Sequence, residues 1–244
     1  MIYLTSDIHG CFKEFKEMLN YLDFGPEDYL YIVGDAVDRG PEPIPLLQYI
    51  MEQPNIELLM GNHEQGFLWN VDVNTSVLSD EEIRSFWLSH GGQETYVQYI
   101  DLPENEQKAI VEYLRQMPVY KIVGKNILAH AGIFMDDIEY STIEELMAQQ
   151  DPQKILWEQK AFYGKPLHFE DPEVRVFFGH TFTLIIRDDL GLPLDSTEIW
   201  EDGNRIGLDC GYAFGGKMVM YCLDTDDVYY LTSSGKFYKK GENN

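Results

Sequence analysis

The chain has 244 residues, of which 44% are hydrophobic and 14% aromatic. This length and composition allow a large core without disulfide bridges and argue against a disordered chain. The 42 acidic and 18 basic residues give a formal net charge of −24, and so acidic a surface repels phosphate backbones and anionic lipids. Neither nucleic acid nor a membrane is therefore an expected partner.

The sequence carries no pattern typical of a secreted or membrane-spanning chain. No run approaches the roughly 18 apolar residues of a membrane span, and the N-terminus MIYLTSD has no basic stretch followed by an apolar region. The three cysteines are odd in number and form no CxxC pair, which argues against a disulfide framework. A reducing, cytoplasmic location is therefore expected.

Short apolar runs alternate with helical patterns over the first 60 residues. Residues 2–4, 29–33 and 56–60 are predicted strands, and apolar side chains at helical spacing predict helices at 12–22 and 44–51. Strands that are separated by helices pair in parallel through right-handed crossovers. The N-terminal part is therefore expected to be a parallel α/β unit.

The rest of the chain becomes richer in strands toward its end. Residues 65–117 are expected to form a mostly helical insertion between motifs, and a capping box at Ser141 and Glu144 predicts a later helix. Residues 126–129 and 174–178 are predicted strands, and turn-like segments within 199–232 predict an antiparallel meander.

The predicted fold class is therefore α/β (α+β). No internal repeat or linker-like stretch is present, so we expect one domain over 1–244, with 235–244 as a flexible tail.

Five of the predicted strands are followed by a short motif that contains Asp, Asn or His. The motifs are SDIHG at 6–10, GDAVDRG at 34–40, GNHE at 61–64, HAG at 130–132 and GHT at 179–181. In open α/β sheets these strand ends share one edge, where ligands bind. Oxygen and imidazole groups that meet there suit divalent cations of borderline softness, so the set predicts a metal site. Asp7 and His9 are two residues apart and would point to one side of an extended segment.

The ordered motifs resemble the calcineurin-like metallophosphoesterases, specifically their phosphoprotein phosphatase (PPP) branch. Within that branch the sequence is similar to the compact bacterial and bacteriophage-lambda type serine/threonine phosphatases. The likeness covers residues 6–181, continues more weakly over 206–216, and is most specific at VDRG, 37–40. The resemblance implies a central β-sandwich of two mixed sheets flanked by helices.

The resemblance implies two divalent metal ions held by six residues. Asp7 and His9 would bind the first ion and Asp35 would bridge both. The ligands of the second ion would be completed by Asn62, His130 and His180. A bridging carboxylate suits two cations about 3.5–4 Å apart, the spacing of two-metal phosphate hydrolysis. Manganese is the metal implied, and iron and zinc stay open.

The resemblance also implies a mechanism and its residues. A metal-bridging hydroxide would attack phosphorus directly, and His63 would protonate the leaving oxygen with Asp38 fixing its tautomer. Arg39 would bind phosphate oxygens through its planar guanidinium. Relatives carry a second phosphate-binding arginine where this sequence has Gln159, so Gln159 and the adjacent Lys160 are the candidate substitutes.

Residues of the 65–117 insertion allow two readings. The sequence SHGG at 89–92 offers a second histidine, but His90 follows a helical pattern whereas His130 ends a strand. His130 is therefore the predicted ligand and His90 a loop residue.

The aromatic residues of the insertion either shape a substrate groove or pack in a helical core; they are Trp69, Phe86, Trp87 and Tyr96.

The predicted function is metal-dependent hydrolysis of phosphomonoesters. Phosphoserine or phosphothreonine proteins are the first candidate substrates, and small phosphoesters are also candidates. One alternative is a nucleotide or symmetrical dinucleoside-polyphosphate hydrolase; those enzymes share this motif set but usually carry Gln where His9 stands. A catalytically weak phospho-binding module is the other alternative, because Gln159 replaces the arginine. The oligomeric state is left open.

Overall fold

The computed structural model describes residues 1–71, 81–134, 138–159, 162–163 and 167–242. Within them the strands are β1 (Ile2–Thr5), β2 (Tyr29–Ile32), β3 (Ile56–Leu58), β4 (Tyr120–Val123), β5 (Asn126–Ala129), β6 (Arg175–Phe178), β7 (Trp200–Asp202), β8 (Arg205–Gly207), β9 (Lys217–Cys222), β10 (Val228–Thr232) and β11 (Phe237–Lys239). The α-helices are α1 (Phe12–Tyr21), α2 (Pro43–Glu52), α3 (Asn62–Val71), α4 (Glu81–Trp87), α5 (Gln93–Ile100), α6 (Glu104–Gln116), α7 (Ile143–Ala148), α8 (Pro152–Trp157) and α9 (Thr183–Asp189). A π-helical turn spans Leu88–Gly92, and a 3₁₀ turn spans Tyr212–Phe214.

The strands form two mixed sheets. The first has the order β11-β10-β9-β1-β2-β3, in which β1, β2 and β3 are parallel and the other neighbours are antiparallel. The second has the order β4-β5-β6-β8-β7, in which β5, β6 and β8 are parallel. The predicted parallel pairing of the first three strands is confirmed.

The two sheets pack face to face with helices outside them. Leu4, Val33 and Leu59 lie in or directly after strands of the first sheet. They form one apolar cluster with Leu128 and Phe177 of the second sheet. A separate cluster packs α1, α2, α3 and α6 on the other face of the first sheet, and α7 covers the outer face of the second. Each sheet therefore buries both faces, as its continuous apolar strands require. The predicted central β-sandwich flanked by helices is confirmed.

The C-terminal strands do not form one meander, so that prediction is wrong. β7 and β8 belong to the second sheet, whereas β9, β10 and β11 belong to the first. The chain crosses between them through the 3₁₀ turn, where Gly211 and Gly215 adopt left-handed φ values of 70° and 84°. Glycine tolerates this backbone region without strain, so the chain can change sheets within a few residues.

The structure differs from two local predictions, the start of a helix and the conformation of the C-terminal segment. The cap of α7 is Thr142, whose Oγ1 accepts the backbone N–H of Glu145 at 3.2 Å, so the helix begins one residue later than the Ser141 motif predicted. Residues 237–239 form strand β11, where a flexible tail over 235–244 was expected. Phe237 stacks on Tyr21 of α1 with ring centroids 4.6 Å apart, and this packing orders the segment.

Helices α3 to α6 lie within and around residues 65–117, with 72–80 outside the described residues. Among the residues that are described, no helix has the length and apolar character needed to cross a membrane.

The Phe237 contact generates a stability prediction. Phe237→Ala should lower the free energy of unfolding by about 1–2 kcal/mol, because it removes a stacked aromatic pair and half-buried apolar surface. Equilibrium unfolding in urea measures the change, with the exposed neighbour Lys236→Ala as control. Equal stability of the two variants would mean that the Phe237 contact contributes nothing to the free energy of unfolding.

Candidate metal centre

The five strand-end motifs meet at one edge of the sandwich. Asp7 and His9 follow β1, Asp35 and Asp38 follow β2, Asn62 begins α3 after β3, His130 follows β5 and His180 follows β6. All of these side chains are buried or half-buried. Parallel strands of both sheets therefore deliver their carboxyl-end residues to a common place, as the strand-end argument predicts.

The carboxylate of Asp35 lies between two groups of possible ligands. Its Oδ1 is 3.3 Å from Nε2 of His130, and its Oδ2 is 3.8 Å from Nε2 of His9 and from Nε2 of His63. Asp7 completes the His9 side, with Oδ1 3.9 Å from Nε2 of His9. One carboxylate thus presents a separate oxygen to each group, which is the arrangement that a bridging ligand requires.

The second group contains Asn62, His130 and His180. Asn62 Oδ1 lies 2.9 Å from His130 Nε2 and 2.8 Å from His180 Nδ1. Metal–ligand bonds of about 2.0–2.1 Å place neighbouring donor atoms roughly 3 Å apart. Asp35, His130 and His180 converge closely enough to share one cation, and so do His9, Asp35 and His63.

The hydrogen bonds of two histidines direct the same ring nitrogen, Nε2, toward Asp35. Nδ1 of His9 is 2.9 Å from the carbonyl of Val37, and Nδ1 of His130 is 2.8 Å from the carbonyl of Val33. A carbonyl only accepts, so each Nδ1 carries a proton and each Nε2 faces Asp35. These residues fit a metal, because a cation bound between Nε2 and the carboxylate takes the place of a proton there.

The charges of the site lead to the same requirement. Burial raises the pKa of Asp7 well above its usual value, and the nearby Asp209 carboxylate raises it further. Burial likewise raises the pKa of Asp209 to about 6. Burial lowers the pKa of His130, but the Asp35 charge outweighs burial and raises it to about 10. The pocket therefore favours positive charge at its centre.

The backbone of the site is held in an unusual conformation. Six of the eight non-glycine residues with positive φ in the described chain are site residues: Asp7 (51°), His9 (47°), Asp35 (58°), Asp38 (69°), Arg39 (66°) and His180 (64°). The segment 7–9 is therefore not extended, and the predicted reason for its two side chains sharing one side is wrong. Such φ values persist where surrounding contacts enforce them, and they concentrate at functional sites.

Glu64 supplies much of that enforcement. Its fully buried carboxylate accepts the backbone N–H groups of Asp35, Ala36, Val37 and Gly61 at 2.8–3.1 Å. It thereby fixes the loop that presents Asp35 against the start of α3. This role of Glu64 was not predicted from the sequence, although a glutamate in the first turn of a helix, within the GNHE motif, was the available signal.

Asp38 and His63 form the predicted pair, and the insertion contributes to it. Asp38 Oδ2 accepts His63 Nδ1–H at 2.7 Å and Trp87 Nε1–H at 2.8 Å, while Oδ1 accepts the hydroxyl of Thr95. Trp87 is buried and stacks on Phe67 with ring centroids 5.7 Å apart. Trp87 is therefore mainly a packing residue, although it also lines the cavity, and its hydrogen bond to Asp38 was not predicted from the sequence.

The protonation of His63 follows from these contacts. Burial lowers its pKa, but the Asp35 charge and the hydrogen bond to Asp38 outweigh burial and leave the pKa above the usual value. Arg39 Nη2 lies 2.9 Å from His63 Nε2, and Arg39 Nη1 lies against His9 Nε2. The guanidinium therefore lies beside the His9 and His63 side of Asp35.

A cavity of about 640 Å³ opens over the site. Asp35, Arg39, Asn62, His63 and His180 are among its lining residues. Its aromatic lining comprises Trp69, Phe86, Trp87, His90 and Trp157. Trp69 and Trp157 stack with centroids 5.8 Å apart, and Phe86 and His90 stack at 4.0 Å. The groove alternative therefore holds for Trp69 and Phe86.

The remaining predicted residues lie as follows. Gln159 is exposed and lines the cavity, whereas Lys160 lies outside the described residues. His90 lies in the π-helical turn and joins neither ligand group, while its Nδ1 is 2.7 Å from the carbonyl of Phe86. Tyr96 is half-buried and packs edge-on against Trp87.

Comparisons with known proteins agree with this geometry. The family model for calcineurin-like phosphoesterases matches residues 1–227. Symmetrical bis(5'-nucleosyl)-tetraphosphatases are among the similar curated proteins. That of Chromobacterium violaceum is 40% identical over 134 residues, which is 54% of this chain and 43% of that protein. That of Wigglesworthia glossinidia brevipalpis is 31% identical over 135 residues, covering 54% and 44%. The matches thus span less than half the length of these relatives.

Solved structures share the fold at low sequence identity. One is a candidate diadenosine tetraphosphatase with a TM-score of 0.64 and 18% identity, covering 95% of this chain and 92% of that one. Another is a protein serine/threonine phosphatase from Saccharomyces cerevisiae with a TM-score of 0.55 and 14% identity, covering 100% and 80%.

The shared position of Asp35 generates a prediction about metal content. Asp35→Asn should lose both ions and all turnover, whereas Asn62→Ala should lose one, because Asp35 faces both ligand groups and Asn62 only the second. Elemental analysis after gel filtration measures the stoichiometry, with exposed Asp101→Asn as control. Two ions retained in Asp35→Asn would contradict the bridging assignment.

Proposed function

Because the chain belongs to the calcineurin-like phosphoesterase family, we propose that it is a metal-dependent hydrolase of nucleotide substrates, with dinucleoside polyphosphates as the first candidate. The observation that carries this choice is the aromatic-lined cavity that opens directly over Asp35, Arg39 and His63. Phosphoester hydrolysis is the chemistry of the family, and the lining of the cavity indicates which class of substrate is hydrolysed.

Asp7, His9 and Asp35 are proposed to hold one divalent ion, and Asp35, Asn62, His130 and His180 the other. Manganese is the proposed metal, since the donors are carboxylate, amide and imidazole groups of the kind that such ions accept. When bound, the ions would polarise the phosphoryl oxygens as Lewis acids and offset their negative charge.

Arg39 and His63 have complementary roles in this proposal. The Arg39 guanidinium lies at the mouth of the site and can bind two phosphoryl oxygens at once through its planar fork. His63 is proposed to donate a proton from Nε2 to the leaving oxygen, because Asp38 occupies its Nδ1 and its raised pKa favours the protonated ring. Trp87 and Thr95 keep Asp38 in place for this task.

The cavity favours a substrate with a planar aromatic group. Trp69 and Phe86 offer ring surfaces on which a nucleobase can stack, an interaction that every base can make. Trp157 is fixed by its indole N–H, which donates to Gln65 Oε1 at 2.6 Å. The names of the curated relatives support the same substrate class, and the matched region spans less than half of their length.

Protein dephosphorylation is the second candidate. His9 favours it, because symmetrical dinucleoside-tetraphosphate hydrolases usually have Gln at this position. Gln159 lines the cavity and would bind phosphate more weakly than the arginine of relatives, by roughly 1 kcal/mol. A weak phospho-binding module is the third candidate on that ground. The cytoplasmic location stays an expectation.

A substrate comparison generates the next prediction. With added Mn²⁺, kcat/KM should be higher for diadenosine tetraphosphate than for a phosphoserine peptide, because only the nucleotide can use the aromatic walls. Measurements of phosphate or nucleotide release at matched concentrations provide the comparison, with p-nitrophenyl phosphate as a reference for basal chemistry.

The outcomes separate the three candidates. Preference for the phosphopeptide would favour the protein phosphatase. Binding of phosphate compounds without turnover of any, p-nitrophenyl phosphate included, would favour the binding module. Phe86→Ala should reduce the nucleotide preference, whereas exposed Val97→Ala, on α5, should not.

The role of His63 generates a prediction of its own. His63→Asn should keep both metals and lose about 10²–10⁴-fold in kcat, the usual range for a general acid. The loss should be smaller for p-nitrophenyl phosphate than for an alkyl phosphate, because a good leaving group needs less protonation. Equal losses on the two substrates would contradict the assignment.

A further inference from the structure

Two exposed aromatic side chains belong to the surroundings of Arg39: Phe214 lies against it, and Phe86 lines the same cavity. Phe214 is 66% exposed and Phe86 is 51% exposed, the highest values among the exposed aromatic side chains of the described residues. Leaving a phenyl ring in water forgoes the free energy of its burial. One ring lies against Arg39 and the other lines the cavity that Arg39 lines, which points to a ligand that covers both rings.

Phe214 is presented by a rigid turn. Its backbone N–H donates to the carbonyl of Gly211 at 2.9 Å, and the N–H of Gly216 donates to the same carbonyl at 2.9 Å. Gly211 N–H in turn donates to Oδ1 of Asp209, the buried acid beside Asp7, at 2.9 Å. The ring therefore has a fixed position relative to the metal ligands rather than belonging to a loose loop.

Arg39 lies between this ring and the cavity. Its guanidinium carbon is 5.0 Å from the centre of the Phe214 ring, within cation–π range. Arg39 also lines the cavity, as Phe86 does, whereas Phe214 is not among the lining residues. Arg39 thus lines the aromatic cavity and also contacts an aromatic ring outside it.

We propose that Phe214 stacks on the second nucleobase of a substrate that carries a base at each end of a polyphosphate chain. This inference rests on the proposed function. The first base enters the aromatic cavity, the scissile phosphates lie over Arg39 and Asp35, and the second base leaves the site across Phe214. A substrate with one base uses the cavity and does not reach Phe214.

The experiment compares Phe214→Ala with the unmodified protein on three Mn²⁺-supported substrates. Diadenosine tetraphosphate has two bases, adenosine tetraphosphate has one, and tripolyphosphate has none. Stacking of a base on an aromatic side chain contributes enough that KM for the two-base substrate should rise about 5- to 100-fold. Its kcat should stay within about twofold, and KM for the other two substrates should stay unchanged.

Control variants identify the cause of any change. Phe214→Trp should retain the low KM, because it restores a ring. Leu194→Ala removes another exposed apolar side chain, 56% exposed and not lining the cavity, and should leave all constants unchanged.

Two results would overturn the inference alone. An equal rise of KM on all three substrates would mean that Phe214 only orients Arg39, and no change on any would mean that it contacts no substrate. Turnover of p-nitrophenyl phosphate without turnover of either nucleotide would overturn the proposed function, and this inference with it.

Discussion

The structure of the site depends on a single carboxylate. Asp35 presents one oxygen to His130 and the other to His9 and His63, and it does so from a left-handed backbone position. Glu64 and the N-terminus of α3 fix that position, since His63 N–H donates to Asp35 Oδ1 at 3.1 Å. Gly61 is required beside it, because a Cβ there would collide with Asp35 Oδ1. Without this arrangement the two ligand groups would have no shared member.

A strongly acidic protein that binds anionic phosphate must reverse its field locally. The chain carries a net charge of −24, and Arg39 is the one Lys or Arg among the described residues that line the cavity. Bound ions would supply further positive charge, and the buried carboxylate of Asp7, whose pKa is raised by burial and by the Asp209 charge, is a group that attracts them. The same acidic surface repels phosphate backbones, so phosphate groups are attracted only where they reach the metal centre.

The sequence was sufficient for the features that depend on local pattern. Apolar runs followed by Asp, Asn or His predicted the parallel strands and the polar side chains that meet at their ends, because strand ends of one sheet share an edge. The assignment of those side chains as metal ligands came from the resemblance and stays a prediction. What it did not reveal depends on long-range contacts. Trp87 and Thr95 reach Asp38 from helices some 50 residues away in sequence, and no periodicity signals such a hydrogen bond. The C-terminal strands are divided between two sheets by a turn whose direction is set by packing. The strand at 237–239 depends on the contact of Phe237 with a partner ring on α1.

Anomalous diffraction from crystals soaked in Mn²⁺ would show directly whether Asp35 bridges two ions. We expect two peaks about 3.5–4 Å apart, one beside Nε2 of His9 and one among Asn62, His130 and His180, with Asp35 contacting both. A single peak away from Asp35, or two peaks that share no ligand, would contradict it.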